Sequence, residues 1–237
     1  LEHHTVKTTQ ITPNLYQLTR LAVINCYLVR ENDGFTLIDT NMGGSADAII
    51  TEAHNLGGEI KRITLTHAHM DHVGSVDALM KLLPKAELST SARDARFMTG
   101  DMSLDKDEPQ DKLRGGYPKV ESRPTRLLND GDKVGSLRVV ASAGHTPGHI
   151  SFYEERDAAL LAGDAFTTQG GISTAGIFRL FFPLPAMATW HPQSMLESAQ
   201  RLLALKPSAL ATGHGKVIMT PADAMRGAID EARRKIG

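Results

Sequence analysis

The chain has 237 residues, 41% of them hydrophobic and 22% charged, with 26 basic against 27 acidic side chains. That composition provides for a sizeable core and excludes a disordered chain, while a formal net charge of −1 argues against a broad nucleic-acid-binding face. The single cysteine, Cys26 in VINCYLV, excludes an intramolecular disulfide, and no apolar run is long enough to span a bilayer.

In chain order, the opening LEHHTVKTTQ shows no apolar leader core, so the expected setting is cytoplasmic. NLYQLT, VINCYLVR and FTLIDT then read as strands, the last two joined as a hairpin through END-Gly34, with Cys26 a buried strand residue. After the Gly-rich turn NMGGS, SADAIITEAHNLG has helical spacing and stops at Gly57-Gly58. RITLT (62 to 66) is a short β-branched run, followed directly by HAHMDHVG. From Asp71, the positions Val73, Val76, Leu79, Met80 and Leu83 predict one helix, ended by Pro84. AELST is the next strand and SARDARFM a short helix.

Residues 99 to 124 are polar and rich in Gly and Pro, which reads as a functional loop or lid, or as a solvated insertion. Strand signals return in TRLLNDG, LRVVASAG, HISFYEE and ALLAGDA. The final third has an apolar loop, a helix (PQSMLESAQRLLAL), a short strand (SALATG) and a closing helix from Pro221. Two halves of similar element order meet near residue 125 in what reads as one domain over 1–237. Two sheets packed face to face with helices outside would bury these strands.

The chemistry collects after the strands. His67, His69, Asp71 and His72 follow the strand at 62 to 66, His145 follows LRVVASAG, Asp164 follows ALLAG, and His214 follows SALATG. Each alone has a plain structural reading, but five of the chain's 10 histidines share this placement. Clustered imidazole and carboxylate groups on loops of a rigid scaffold point to a metal centre. His149 reads as an orienting residue behind a ligand. His191 reads as a cap or pocket contact, and His3, His4 and His54 carry no functional signal.

THAHMDH, with GHTPGH, AGDA and TGHG downstream, resembles the metallo-β-lactamase-fold superfamily, whose HxHxDH…H…D…H pattern is matched at every ligand position. Ser75 stands where many members have a second glycine. The resemblance implies an α/β fold, an αββα sandwich of two mixed β-sheets with outer helices, and two divalent metals at one sheet edge. It implies that His67, His69 and His145 hold one metal, that Asp71, His72 and His214 hold the second, and that Asp164 bridges them. Zinc is the expected metal for such donors, with iron and manganese also suited. Two such metals would share a hydroxide, with Asp71 as the catalytic residue that orients it or passes a proton.

The ligand pattern does not name the bond broken. Only about one helix follows TGHG, so the helical C-terminal module of glyoxalase II-like thioesterases is not expected; Asp164 is followed by AFTTQGG, without the tyrosine common there in lactonases, and no exosite of the RNase Z type is evident. A hydrolase of a small ester, lactone or thioester is the expectation. The alternatives are a mononuclear iron sulfur dioxygenase and a metal-stabilised binding scaffold without turnover. The partner expected is a small molecule, with neither nucleic acid nor membrane. Residues 176 to 190, GIFRLFFPLPAMATW, read either as an apolar substrate wall or as a contact in a homo-oligomer. Arg179 would there meet a carboxylate or reach solvent, and Pro183 and Pro185 argue against a helix between them.

Overall fold

The computed structural model describes residues 6–236; His3 and His4 lie outside them. The chain opens with β1 (Lys7–Gln10), β2 (Leu15–Arg20), β3 (Ile24–Glu31) and β4 (Gly34–Ile38), then α1 (Ala46–Asn55), β5 (Ile60–Thr64), α2 (Met70–Val73) and α3 (Val76–Leu82). β6 (Glu87–Ser91), α4 (Ala92–Thr99) and β7 (Arg126–Leu128) complete a seven-stranded sheet in the order β1-β2-β3-β4-β5-β6-β7. Next come β8 (Lys133–Val134), β9 (Leu137–Ala141), β10 (Ile150–Glu154) and β11 (Ala159–Leu161), then the small ribbon β12 (Phe166–Thr167) and β13 (Ser173–Thr174). α5 (Leu184–Ala188), α6 (Pro192–Ala204), β14 (Ala209–Ala211), β15 (Ile218–Met219) and α7 (Ala222–Ile236) close the chain. The second sheet has the order β15-β14-β11-β10-β9-β8.

Both sheets are mixed. β1 to β4 pair antiparallel and β4 to β7 parallel, whereas β11 and β14 form the one parallel pair of the second sheet. Strand alternation explains the layers. Leu37 faces α1, α3 and α4 with Leu28, Ile63 and Leu88, while its neighbour Ile38 faces the other sheet. Val140, Leu160 and Leu210 likewise face α6 and α7, whereas Val139, Leu161 and Phe152 fill the space between the sheets. Strands buried on both faces read as continuous apolar runs, as VINCYLV and ALLAG do. The result is the expected αββα sandwich.

Two local expectations are corrected. The helix predicted from Asp71 is two helices, parted at Ser75, which leaves helical geometry; Gly74 before it lies against the backbone of Met42 and Gly43, where any Cβ would overlap. Ser75 then bonds outside the helix, its Oγ to the Met42 carbonyl at 2.7 Å and its N–H to Thr40 Oγ1 at 3.2 Å. The prolines of 183 to 185 do not prevent α5; Pro185 sits in its first turn, where no backbone donor is needed. The strands β1, β8, β12, β13 and β15 are absent from the sequence reading. The first sheet also runs on through β7, so the chain passes to the second sheet after Leu128.

Candidate metal centre

The strands that precede the polar cluster all end at one edge. β4 and β5 run parallel in the first sheet, and β9, β11 and β14 share one direction in the second. Their C-terminal loops therefore converge. Backbone bonds tie the two edges together, from Ile150 N–H to Thr66 O and from Asn25 N–H to Gly213 O, each 2.9 Å.

All seven candidate residues meet there. His67 Nε2 lies 3.1 Å from His69 Nδ1, which lies 3.0 Å from His145 Nε2. Asp164 stands between the two halves of the cluster. Its Oδ1 is 3.5 Å from His72 Nε2, and its Oδ2 is 3.4 Å from His145 Nε2 and 3.2 Å from His214 Nε2. Asp71 Oδ2 is 3.3 Å from His214 Nε2. His67, His69 and His145 form one group of closely spaced donor atoms, and Asp71, His72 and His214 another.

What the imidazoles do with their outer nitrogens decides the chemistry. His72 Nδ1 donates to Asp39 Oδ2 at 2.8 Å, His69 Nε2 to Arg114 O at 3.0 Å and His214 Nδ1 to Val23 O at 3.1 Å. His67 Nδ1 meets Thr66 Oγ1, whose own hydrogen goes to Asp39 Oδ2, so the imidazole is the donor. By the same logic His145 Nδ1 donates to Thr189 Oγ1, whose hydrogen goes to Pro185 O. Each outer nitrogen thus carries the proton, and each inner nitrogen turns a lone pair into the cluster.

Lone pairs 3.0–3.1 Å apart repel unless a cation lies between them. Tetrahedral donors on metal bonds of about 2.0–2.1 Å stand about 3.3 Å apart, close to this spacing. His72 Nε2 and Asp164 Oδ1 are moreover buried without any hydrogen-bond partner. Asp39, Asp71 and Asp164 form ion pairs only with histidines among the described residues, so no Lys or Arg supplies the missing positive charge. The donor set fits divalent cations.

The protonation pattern tells the same story. Burial, reinforced by neighbouring imidazoles, pushes His67 well below the ordinary histidine value, and burial also pushes His145 down against the pull of Asp164. His69 falls to about 4, chiefly by burial. Burial also opposes charge on His72 and His214, yet the surrounding carboxylates outweigh it, lifting His72 well above the ordinary value and His214 to about 10. That upward pull is the carboxylates' demand for positive charge at His72 and His214, which bound cations would meet instead. Asp71 and Asp164 stay well below the carboxylate range because adjacent histidines overcome burial.

His149 does not present a free nitrogen. Its Nδ1 bonds Ser142 Oγ at 2.8 Å and its Nε2 accepts the Asp164 N–H at 3.1 Å, so it orients the aspartate from behind. His191 caps α6 through Ser194 N–H, and His54 is exposed on α1. Cys26 is buried in β3, as expected, and burial lifts its thiol to about 12.

Sequence reading missed Asp39, Thr66, Thr189 and Asp94. Asp39 had a usable signal, since it follows a strand as Asp164 does. It takes a left-handed backbone conformation, φ 59°, and accepts the Thr66 N–H at 2.8 Å as well as the His72 bond. Thr189 and the Arg114 carbonyl carry no signal at all. They reach the cluster from the segments 99 to 124 and 176 to 190.

These two segments shape the approach. Beyond Thr99, the last residue of α4, the segment to residue 124 has no regular element, but it is anchored. Arg93 pairs with Glu108, Trp190 Nε1 donates to Asp111 O at 3.0 Å, and Gly115 packs so closely on His69 that a Cβ would overlap the ring. A cavity of about 440 Å³ opens over the cluster, lined by Ile24, Met42, Met70, Leu184, Pro185, Met187 and Ala188 beside Gly115 and Gly116. Its remaining lining is cluster residues, with no Lys or Arg. Arg179 is not part of the cavity lining: it forms a bidentate pair with Glu231, in partial contact with solvent, and bonds Ile172 O. Phe178, Leu180 and Phe181 are exposed and outside the lining.

The family model described as the metallo-beta-lactamase superfamily matches residues 19–214. The chain is 45% identical over 224 residues to YobT of Bacillus subtilis (strain 168), covering 93% of this chain and 96% of that protein. It is 31% identical over 215 residues to the probable metallo-hydrolase YflN of the same organism, covering 81% of each. Among solved structures, TTHA1623 in a di-iron-bound form superposes with a TM-score of 0.65 at 26% identity, covering 92% of this chain and 97% of that one. No helix among the described residues is long and apolar enough to cross a membrane.

Proposed function

We propose that this chain, which belongs to the metallo-beta-lactamase superfamily, is a dinuclear metal-dependent hydrolase of small esters, lactones or thioesters with an apolar acyl part. The observation that carries the reading is the committed outer nitrogen on each of His67, His69, His72, His145 and His214, which leaves five inward lone pairs beside Asp71 and Asp164. A closed structural site needs four ligands, and seven donors in three overlapping groups exceed that need. His67, His69 and His145 would hold one cation, Asp71, His72 and His214 the second, with Asp164 between them. When bound, such a pair lowers the pKa of water and polarises an acyl carbonyl. Zinc is the proposed metal, with iron the second candidate given the di-iron form of TTHA1623.

The protein's own groups account for the rest. Asp71 is the more open carboxylate, with 28% of its side chain exposed against 4% for Asp164, and both line the cavity. Asp71 can therefore receive a proton at Oδ2 and deliver it to a leaving group. Asp164 is held from behind by His149 and keeps a fixed position. The apolar walls at Met42, Met70, Leu184 and Met187 favour an uncharged acyl group and provide no cation for a carboxylate-rich one.

The test is elemental analysis after reconstitution, joined to a panel of an aryl ester, a lactone and an acyl thioester. Two cations per chain with turnover of at least one substrate are expected, and His67→Ala should lose one cation and the turnover. A single iron with uptake of dissolved oxygen when a persulfide is supplied as substrate, and no hydrolysis, would sink the proposal.

A further inference from the structure

Asp94 sits in the first turn of α4, three residues after the cap Ser91. A Ser-x-x-Asp start normally sends the acidic side chain back to the cap. Here Ser91 Oγ does accept the Asp94 N–H at 3.1 Å, but the Asp94 carboxylate turns into the protein and is fully buried. Its Oδ2 accepts the Ala68 N–H at 2.8 Å and the Thr146 hydroxyl at 2.9 Å. Its Oδ1 accepts the Gly148 N–H at 2.9 Å.

Those partners are not arbitrary. Ala68 lies between His67 and His69, in the loop after β5 of the first sheet. Thr146 and Gly148 lie between His145 and His149, in the loop after β9 of the second sheet. One carboxylate therefore bonds the two loops that come from opposite sheets and carry the three histidines of one donor group. Gly148 is shaped for it, since any Cβ there would overlap Asp94 Oδ1.

We propose that Asp94 is a positioning residue of the metal centre, fixing the His67–His69 loop against the His145 loop so that their three imidazoles converge on one cation. This rests on the metal-centre reading above. A donor set must be held to within about 0.5 Å of its working geometry, and backbone anchors achieve that where flexible loops do not. An asparagine at this position has the right size but turns an NH₂ toward one of the two backbone N–H groups. One loop then loses its anchor. Partners that orient metal ligands typically matter by about 10- to 100-fold in cation affinity.

The experiment follows Co²⁺ binding by visible absorption, with Zn²⁺ competition against a chelator, in the wild type, Asp94→Asn and Asp77→Asn. Asp77 is the control, because its carboxylate also accepts two backbone N–H groups, those of Glu121 and Ser122, but outside the cluster. Asp94→Asn is expected to weaken the tightest cobalt equivalent by about 10- to 100-fold and to change its absorption bands. Asp77→Asn should leave both unchanged. Should Asp94→Asn fail to fold, Thr146→Val, which removes one bond to the carboxylate, should weaken binding, and Thr146→Ser should restore it. Wild-type cobalt affinity and spectrum in a folded Asp94→Asn protein would overturn the proposal, as would Thr146→Val binding like Thr146→Ser. A wild type that takes up no cobalt would overturn the metal-centre reading itself, and this inference with it.

Discussion

Lengthening the acyl group of an aryl ester from acetyl to hexanoyl should raise kcat/KM about 15-fold. The four added methylenes gain about 0.8 kcal/mol each when fully removed from water. The cavity of about 440 Å³ is apolar along Met42, Met70, Leu184 and Met187 but open to solvent, so about half of that gain is expected, or about 1.6 kcal/mol. At about 1.36 kcal/mol per factor of ten, this is the stated ratio. Leu184→Ala or Met187→Ala removes one wall and should reduce the ratio to about fourfold, while acetate turnover stays within about twofold. Leu184 and Met187 are 62% and 60% exposed, so the substitutions should shift stability by no more than about 0.5 kcal/mol. Phe181→Ala is the control, because Phe181 is 85% exposed and outside the lining. The assay is initial-rate kinetics over acetate, butyrate and hexanoate esters, with oligomeric state measured by light scattering. A flat wild-type profile, or an equal loss on all three esters accompanied by dissociation, would refute the reasoning and make the segment an interface.

Asp71→Ala should lower kcat by about 10²- to 10⁴-fold, the usual range for losing a group that manages the transferred proton. Its melting temperature should stay near wild type, since Asp71 lies at the loop edge of the sandwich; unchanged kcat in the folded, metal-loaded variant would remove Asp71 from the mechanism. Glu231→Gln should destabilise the protein by about 1 kcal/mol at neutral pH, a value reduced for the solvent contact of the pair with Arg179. The Glu231 carboxyl is held down at about 2, first by Arg179 and then by Lys235, so its stabilisation is complete above the unfolded value near 4.5 and is lost as pH falls toward 2. Urea denaturation at several pH values checks this; a wild-type-to-variant gap that widens on acidification would contradict it.

The sequence by itself determined the strand ends and their chemistry. RITLT-HAHMDH, AGDA and TGHG each place ligand-type residues directly after a β-branched or apolar run, and both signals are local. The continuous apolar runs VINCYLV and ALLAG, which lack alternation, likewise determined that these strands are buried on both faces. What tertiary structure decided is everything that depends on pairs far apart in the chain. The break between α2 and α3 falls at Ser75, whose N–H and hydroxyl bond Thr40 and Met42 instead of the helix, which no helical periodicity near residue 74 encodes. Strands of two to four residues, such as β1, β8 and β15, are defined by backbone pairing to a neighbour and are too short to carry a period. Arg179 looked free in an apolar segment, but Glu231, 52 residues away, occupies it. The direction of each imidazole was decided the same way: Asp39, Arg114, Thr189 and Val23 hold the outer nitrogens, and only folding brings those acceptors beside the histidines. Residue type and spacing specify which atoms can bind a cation, but convergence of lone pairs on one point is a property of loops from two sheets, fixed only once their shared core has packed.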